Sequence, residues 1–326
     1  MTTYINPNCV SFGSSTYNNH NEIRIDYIPY KLKEWVDINK LDLKLLSLNP
    51  RSINLLTNFK NKFDDMPGIW NGLCNNINGM RILLEHKEKI NWESLSANPN
   101  AIDILENNPD KIDWYMLSSN KSAIKLLKKN LDKVDWSNIS NNPGAIEIIE
   151  ENLDKVDWMW LSENPNAIHI LKAHPDKINW ASLSVNPNAI DILENNLDKI
   201  DWAWLSGNIN AIHLLEKNID KISWHRLSTN INAINILRNN PDKINWDLLT
   251  INPNAGELIC ENLNKINWYW ISENPAIFQI DYETMKNNLI STIYEELMMK
   301  CYHPSRLEYY LYNYNYIIGN DDYYDE

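Results

Sequence analysis

The sequence predicts an all-α solenoid of two-short-helix repeats, and three observations carry that prediction. Ten tryptophans (Trp70, Trp92, Trp114, Trp136, Trp158, Trp180, Trp202, Trp224, Trp246 and Trp268) recur every 22 residues without interruption. From Trp92 onward, the residue before each is Asn, Asp or Ser, the types whose short side chains accept a free helical N–H. Seventh in each unit, counting the Trp as position 1, stands an Asn, from Asn76 to Asn274, followed by Pro in six of ten copies.

The unit reads W-x-x-L-S-x-N-P-N-A-I-x-I-L-x-x-N-L-D-K-I-D. Its first helix starts at the Trp, which shares a face with the Leu three residues on. Asn-Pro at positions 7 and 8 predicts the cap and first residue of a second helix. That helix carries a wide apolar stripe, Ala167, Ile168, Ile170 and Leu171 in one copy. Asn at position 17 (Asn108, Asn130, Asn152, Asn196) suits a left-handed C-terminal cap. One unit of 22 residues cannot bury its Trp, Leu and Ile faces alone; stacked units can, with the Trp column as core. The alternative is a leucine-rich-repeat-like α/β solenoid with one strand per turn, since Ile-x-Trp alternates and the repeat length fits. The caps around the Trp helix and the missing L-x-L core weigh against it.

Along the chain this gives a polar, disordered N-terminus over 1–22 and an N-terminal cap over 23–42. The solenoid follows over 43–278, about eleven units, the first a degenerate copy from Leu43 with an irregular insertion near 66–69. A helical C-terminal cap covers 279–314, with Leu289, Ile293, Leu297 and Met298 on one face. An acidic, Tyr-rich tail closes the chain over 315–326. The tail reads as solvated or, alternatively, as a short recognition segment. The caps are expected because the ends of a solenoid expose the apolar face of their last unit.

Composition limits the function. The net charge is −13 and the pI about 5.0, which opposes a nucleic-acid backbone. Lys at position 20 forms a ladder from Lys89 to Lys265, but an acidic ladder at position 19 runs beside it, so nucleic acid is not an expected partner. No run of 18 apolar residues spans a membrane, and Met1–Asn21 has no secretory core, so the expected home is intracellular. Cys9, Cys74, Cys260 and Cys301 show no CxxC spacing, which speaks against a disulfide framework or zinc ribbon. G-x-S-x-G, Walker A and H-E-x-x-H are absent; no catalytic residue, cofactor or metal is expected.

Trp158–Trp180, WMWLSENPNAIHILKAHPDKINW, resembles the tandem units of a repeat family abundant in giant viruses of the mimivirus kind. The resemblance covers roughly Leu43 to Phe278. Two flanks add to it: Lys31–Val36 before the array, and Tyr294–Leu297 with the His303-Pro304-Ser305-Arg306 element after it. It implies a viral origin, repeat architecture, and a place in host cytoplasm or virion. It implies no chemistry. The layout is also similar to leucine-rich-variant repeats, a likeness of fold alone.

Variable columns are where a solenoid reads a partner. Position 3 carries Trp160, Trp204 and Trp270; position 2 carries Tyr115, His225 and Tyr269; position 12 carries His169, Asp191 and His213 among others. The last three recur once per unit, so stacking would hold them about 10 Å apart, too far for direct ligation of one zinc at about 2 Å. The expected function is a non-enzymatic protein-binding scaffold. Alternatives are a structural or virion component that self-associates through its ends and an enzyme with a site across repeats.

Overall fold

The computed structural model describes residues 28–63, 66, 68–288, 290 and 298. It is an all-α repeat solenoid, with strand confined among the described residues to one two-stranded sheet, β1 (Tyr30–Leu32) and β2 (Phe278–Ile280). The expected N-terminal segment 1–22, the tail 315–326, Cys9, Cys301, the His303–Arg306 element and most of the apolar face after residue 288 lie outside the described residues.

From repeat 3 to repeat 10 each unit places its first helix from position 1, as in Trp158–Glu163 and Trp180–Val185, and its second from position 11, as in Ile168–Ala173 and Ile190–Glu194. A 3-10 turn such as Leu197–Lys199 leads into the next unit. The first helix begins where the caps predict: Asp113 and Asn179 accept from the N–H of the third helical residue, Met116 and Ser182. The core is three columns. Leu or Ile at position 4 (Leu183), Ala at position 10 (Ala189) and Leu or Ile at position 14 (Leu193) are fully enclosed.

The Asn of position 7 does not cap the second helix, contrary to the sequence expectation. Asn186 accepts from the Asn188 N–H, 3.0 Å, which folds Asn-Pro-Asn into a turn. Ala189 closes the turn by donating its N–H to the Asn186 carbonyl, so the helix starts only at Ile190. The Asn186 amide instead crosses to the preceding repeat, donating to the Ser162 carbonyl (3.0 Å) and the Asn164 carbonyl (2.9 Å). Asn98, Asn120, Asn164, Asn208, Asn230, Asn252 and Asn274 repeat this bridge. A second ladder runs beside it: Asn188 donates to the Pro165 carbonyl, Asn210 to Pro187 and Asn232 to Ile209.

Position 17 is corrected too. Asn196 has φ −142°, outside the left-handed region, and ends its helix by donating its side-chain amide to the Ile192 carbonyl, 2.8 Å. The Trp column is partly corrected. Trp70 is buried, but Trp92 to Trp268 are half-buried at the edge of the core. Outside repeat 6 the position 20 Lys covers the exposed side of its own unit's Trp, as Lys111 does over Trp92 (4.7 Å to the ring centroid) and Lys199 over Trp180 (4.5 Å). The Lys ladder thus serves the fold. In repeat 6 His174 packs against Trp158, ring centroids 5.2 Å apart.

The array closes on itself. Trp268 opens an eleventh unit that ends its helical pattern at Ile277 and enters β2. Its missing last third comes from the other end of the chain. Ile38–Lys40 forms the 3-10 turn, and Lys40 covers Trp268 at 4.7 Å, as Lys111 covers Trp92. The Asp42 N–H donates to Ser272 Oγ, 2.9 Å, the bond that Asp113 makes to Ser96. Asn49, in the first unit, donates to the Ser272 carbonyl, as Asn186 does to Ser162. Arg51 reaches the Pro275 carbonyl in place of a position 9 Asn. β1 and β2 pair antiparallel, with the Lys33 N–H donating to the Ile277 carbonyl. Apart from this strand pair, the seam contacts reproduce the register of an ordinary junction, so the unit Tyr30–Gln279 is a closed ring of eleven repeats. Where open ends would need separate caps, the two ends complete one another.

Most consecutive first helices touch, whereas second helices have no comparable contact with each other. The first helices therefore form the inner, tighter circle. Eleven helices at about 9 Å spacing make a circle about 30 Å across between axes, leaving an opening on the order of 20 Å.

The described residues on either side of Tyr30–Gln279 belong to a second unit. There the Asp281 N–H donates to the Pro29 carbonyl, 2.8 Å. Asp281 also caps a helix over residues 282–288, accepting from the Thr284 N–H and hydroxyl.

Candidate interaction face

Positions 4 and 5 of the first helix turn into the core, which leaves positions 2, 3 and 6 on the opposite side, facing the opening. The aromatic candidates are on this side. Trp160, Trp204 and Trp270 are 38%, 40% and 42% exposed, and Tyr115 and Tyr269 more than that. His225 is exposed as well. In other repeats the same column holds small or polar residues such as Ser182 and Asn138, both half-buried. Asn138 donates to the Tyr115 carbonyl of the preceding repeat, 3.0 Å, so position 3 side chains reach across the junction.

The clearest instance is Trp204, in repeat 8. The Arg226 guanidinium, at position 3 of repeat 9, lies 3.5 Å from its ring centroid. Tyr269 and Trp270 meet edge to face, centroids 5.2 Å apart. Position 6 differs among the three Trp repeats. It is Gly207 beside Trp204, but Glu163 and Glu273 beside Trp160 and Trp270. Both carboxylates are half-buried, and burial raises their pKa above the usual carboxylate range.

The position 12 candidates are elsewhere, on the second helices. His169 pairs with Glu150 and His213 with Glu194, each at 2.7 Å to position 15 of the preceding unit. Lys128 and Glu147 use the same register, and their pairing lowers the Glu147 pKa and raises that of Lys128. Asp191, between the two His, is exposed. So His169, Asp191 and His213 are not brought together with the aromatic group. Among the described residues no three of His, Cys, Asp or Glu converge as a metal-holding group, and no helix is long and apolar enough to cross a membrane.

Sequence reasoning missed the position 5 Ser. Ser184 is buried, donates to the Trp180 carbonyl and accepts the Asp201 N–H. Its recurrence after Leu was the available signal. In repeat 2 Cys74 takes that place and accepts from the Asn91 backbone N–H, and burial pushes its thiol pKa up. No family model, curated protein or solved structure matches this chain.

Proposed function

We propose that the chain is a non-enzymatic, ring-shaped scaffold that binds a protein partner through positions 2 and 3 of its first helices. The observation that carries this reading is the exposure of Trp160, Trp204 and Trp270 on a layer whose core is already complete without them. Large rings held partly in water at a defined set of positions are the usual anchors of an interface. Partner recognition then resides in the helices around the opening, and the His169/Asp191/His213 row is a weaker contributor on the outer layer.

The resemblance of the units to giant-virus arrays supports a place in infected-cell cytoplasm or in the particle. A structural role by self-association is the second reading. Because the seam already pairs the terminal units with each other, such an assembly would use a face of the ring.

The test is a Trp160/Trp204/Trp270→Ser triple variant, followed by circular dichroism and by recovery of co-purifying proteins from infected cells. Native helicity with partners lost is the expected result. Native helicity with all partners retained would refute the assignment, and so would collapse of the fold, which would make these rings packing elements.

A further inference from the structure

Three repeats carry Trp at position 3, and they differ in one correlated way. In repeat 8, W-A-W-L-S-G, the next repeat supplies Arg226, whose guanidinium stacks on Trp204 at 3.5 Å, and position 6 is Gly207. In repeats 6 and 11, W-M-W-L-S-E and W-Y-W-I-S-E, the following position 3 residues are Ser182 and Leu45. Neither is a cation, and position 6 is now Glu163 or Glu273. Where the fold supplies its own guanidinium, the acid is missing; where it supplies none, an acid stands one helical turn from the Trp, on the same face.

Neither Glu163 nor Glu273 forms an ion pair or side-chain hydrogen bond among the described residues. Each is nevertheless half-buried, and desolvation raises its pKa. A half-buried carboxylate without a counter-ion is a standing electrostatic cost, which an incoming cation would relieve. The ring of a neighbouring Trp attracts the same cation through its face. Arg226 on Trp204 shows that a guanidinium fits at this column of this fold.

We propose that Trp160 with Glu163, and Trp270 with Glu273, are two sockets for cationic side chains of a basic polypeptide segment, arginine above all, with Arg226 on Trp204 as the built-in counterpart. Repeats 6 and 11 are five junctions apart one way round the ring and six the other. The sockets therefore stand almost opposite each other across the opening, and one segment with two separated Arg residues can address both. This inference rests on the proposed function, since it names the partner chemistry of the same face.

The probe is a fluorescein-labelled Gly/Ser peptide with two spaced arginines, compared with the same peptide carrying citrulline, which keeps the shape and removes the charge. Anisotropy titrations use the full chain, the Glu163→Gln/Glu273→Gln variant, and an Asp110→Asn/Asp132→Asn control. The control removes two acids from the position 19 row and changes net charge equally. We expect saturable binding of the arginine peptide, weakened about tenfold by the Glu→Gln pair and less than twofold by the control. The citrulline peptide should bind at least as weakly as the Glu→Gln variant binds arginine. Equal weakening by both variants, equal binding of both peptides, or no saturable binding overturns the proposal. The two readings separate in the infected-cell recovery. If the Glu→Gln pair keeps every partner and the Trp→Ser triple loses them, the face binds protein but does not do so through these sockets.

Discussion

Lys40 lies over the indole of Trp268, 4.7 Å from the ring centroid, although 228 residues separate them along the chain. The pair has the geometry of Lys111 over Trp92 or Lys243 over Trp224, which belong to single units. Together with the Asp42–Ser272 bond it makes the eleventh unit a composite of both flanks of the array.

That composite unit predicts a seam as demanding as any interior junction. Asn49→Asp, at the seam, should lower stability to within about 1 kcal/mol of the loss caused by Asn186→Asp in the middle of the array. Denaturant unfolding of the two variants makes the comparison. In hydrogen exchange the Asp42 amide should be protected like that of Asp113. A seam variant as stable as wild type, with a fast-exchanging Asp42 amide, would mean the ring is open in solution.

At position 7 the order of tolerated substitutions is predicted to invert the preference of a simple cap. The Asn186 amide faces two carbonyl oxygens in a buried site. Asn186→Ala forfeits those bonds at about 2–3 kcal/mol. Asn186→Asp should be at least as damaging at neutral pH, because it sets a carboxylate against both carbonyls. Urea titration at pH 7 checks this, and an Asp variant near wild type would exclude the ladder.

For the Lys–Trp stack, a double-mutant cycle on Lys199→Met and Trp180→Leu should return a coupling of about 0.5–1 kcal/mol, the range for a partly exposed cation–π pair. Trp180→Ala alone should cost about 2–4 kcal/mol, less than a fully enclosed ring would, since one of its faces meets Lys199 rather than core. A coupling of zero would reduce the Lys to a solvated neighbour.

A pH dependence follows from Glu163 and Glu273. Their folded-state pKa is raised by desolvation, so the native state disfavours the charged form. The associated stability is present below the unfolded-state pKa and is lost as pH rises through the folded one. Glu163→Gln/Glu273→Gln should therefore melt above wild type at pH 7, and the two curves should converge near pH 4. A variant that melts lower at pH 7 would show that the carboxylates have stabilising partners.

The repeat, its two helices and the cap before each Trp were legible because periodicity and capping chemistry are local. The interior of the unit was less so. Asn-Pro is compatible both with a helix start and with a turn, and the choice depended on carbonyls of Ser162 and Asn164, 22 to 24 residues away in the chain. Closure was hidden for a related reason. Ile38-Asn39-Lys40-Leu41-Asp42 already spells the end of a unit, but its Trp is Trp268, at the far end of the sequence. Of the candidate face, the swing in volume from Trp160 to Ser182 gave the exposed column correctly. The correlation between position 6 and the neighbouring position 3 needed the stacking of Arg226 on Trp204 to acquire meaning.

Closure makes the copy number a geometric property. An open array can gain or lose a unit by duplication and remain sound, because each junction answers only to its neighbours. Here eleven junctions must together turn through one full circle, about 33° each, and a twelfth unit would demand about 30° at every joint. The small difference per joint accumulates, so an inserted unit that kept its native angle would overshoot the seam by one whole repeat. The composite eleventh unit would then lose either Asp42 or Ser272 as a partner. Expansion and contraction of the array, the ordinary evolutionary freedom of tandem repeats, are thus closed to this protein unless the wedge of every junction changes in concert.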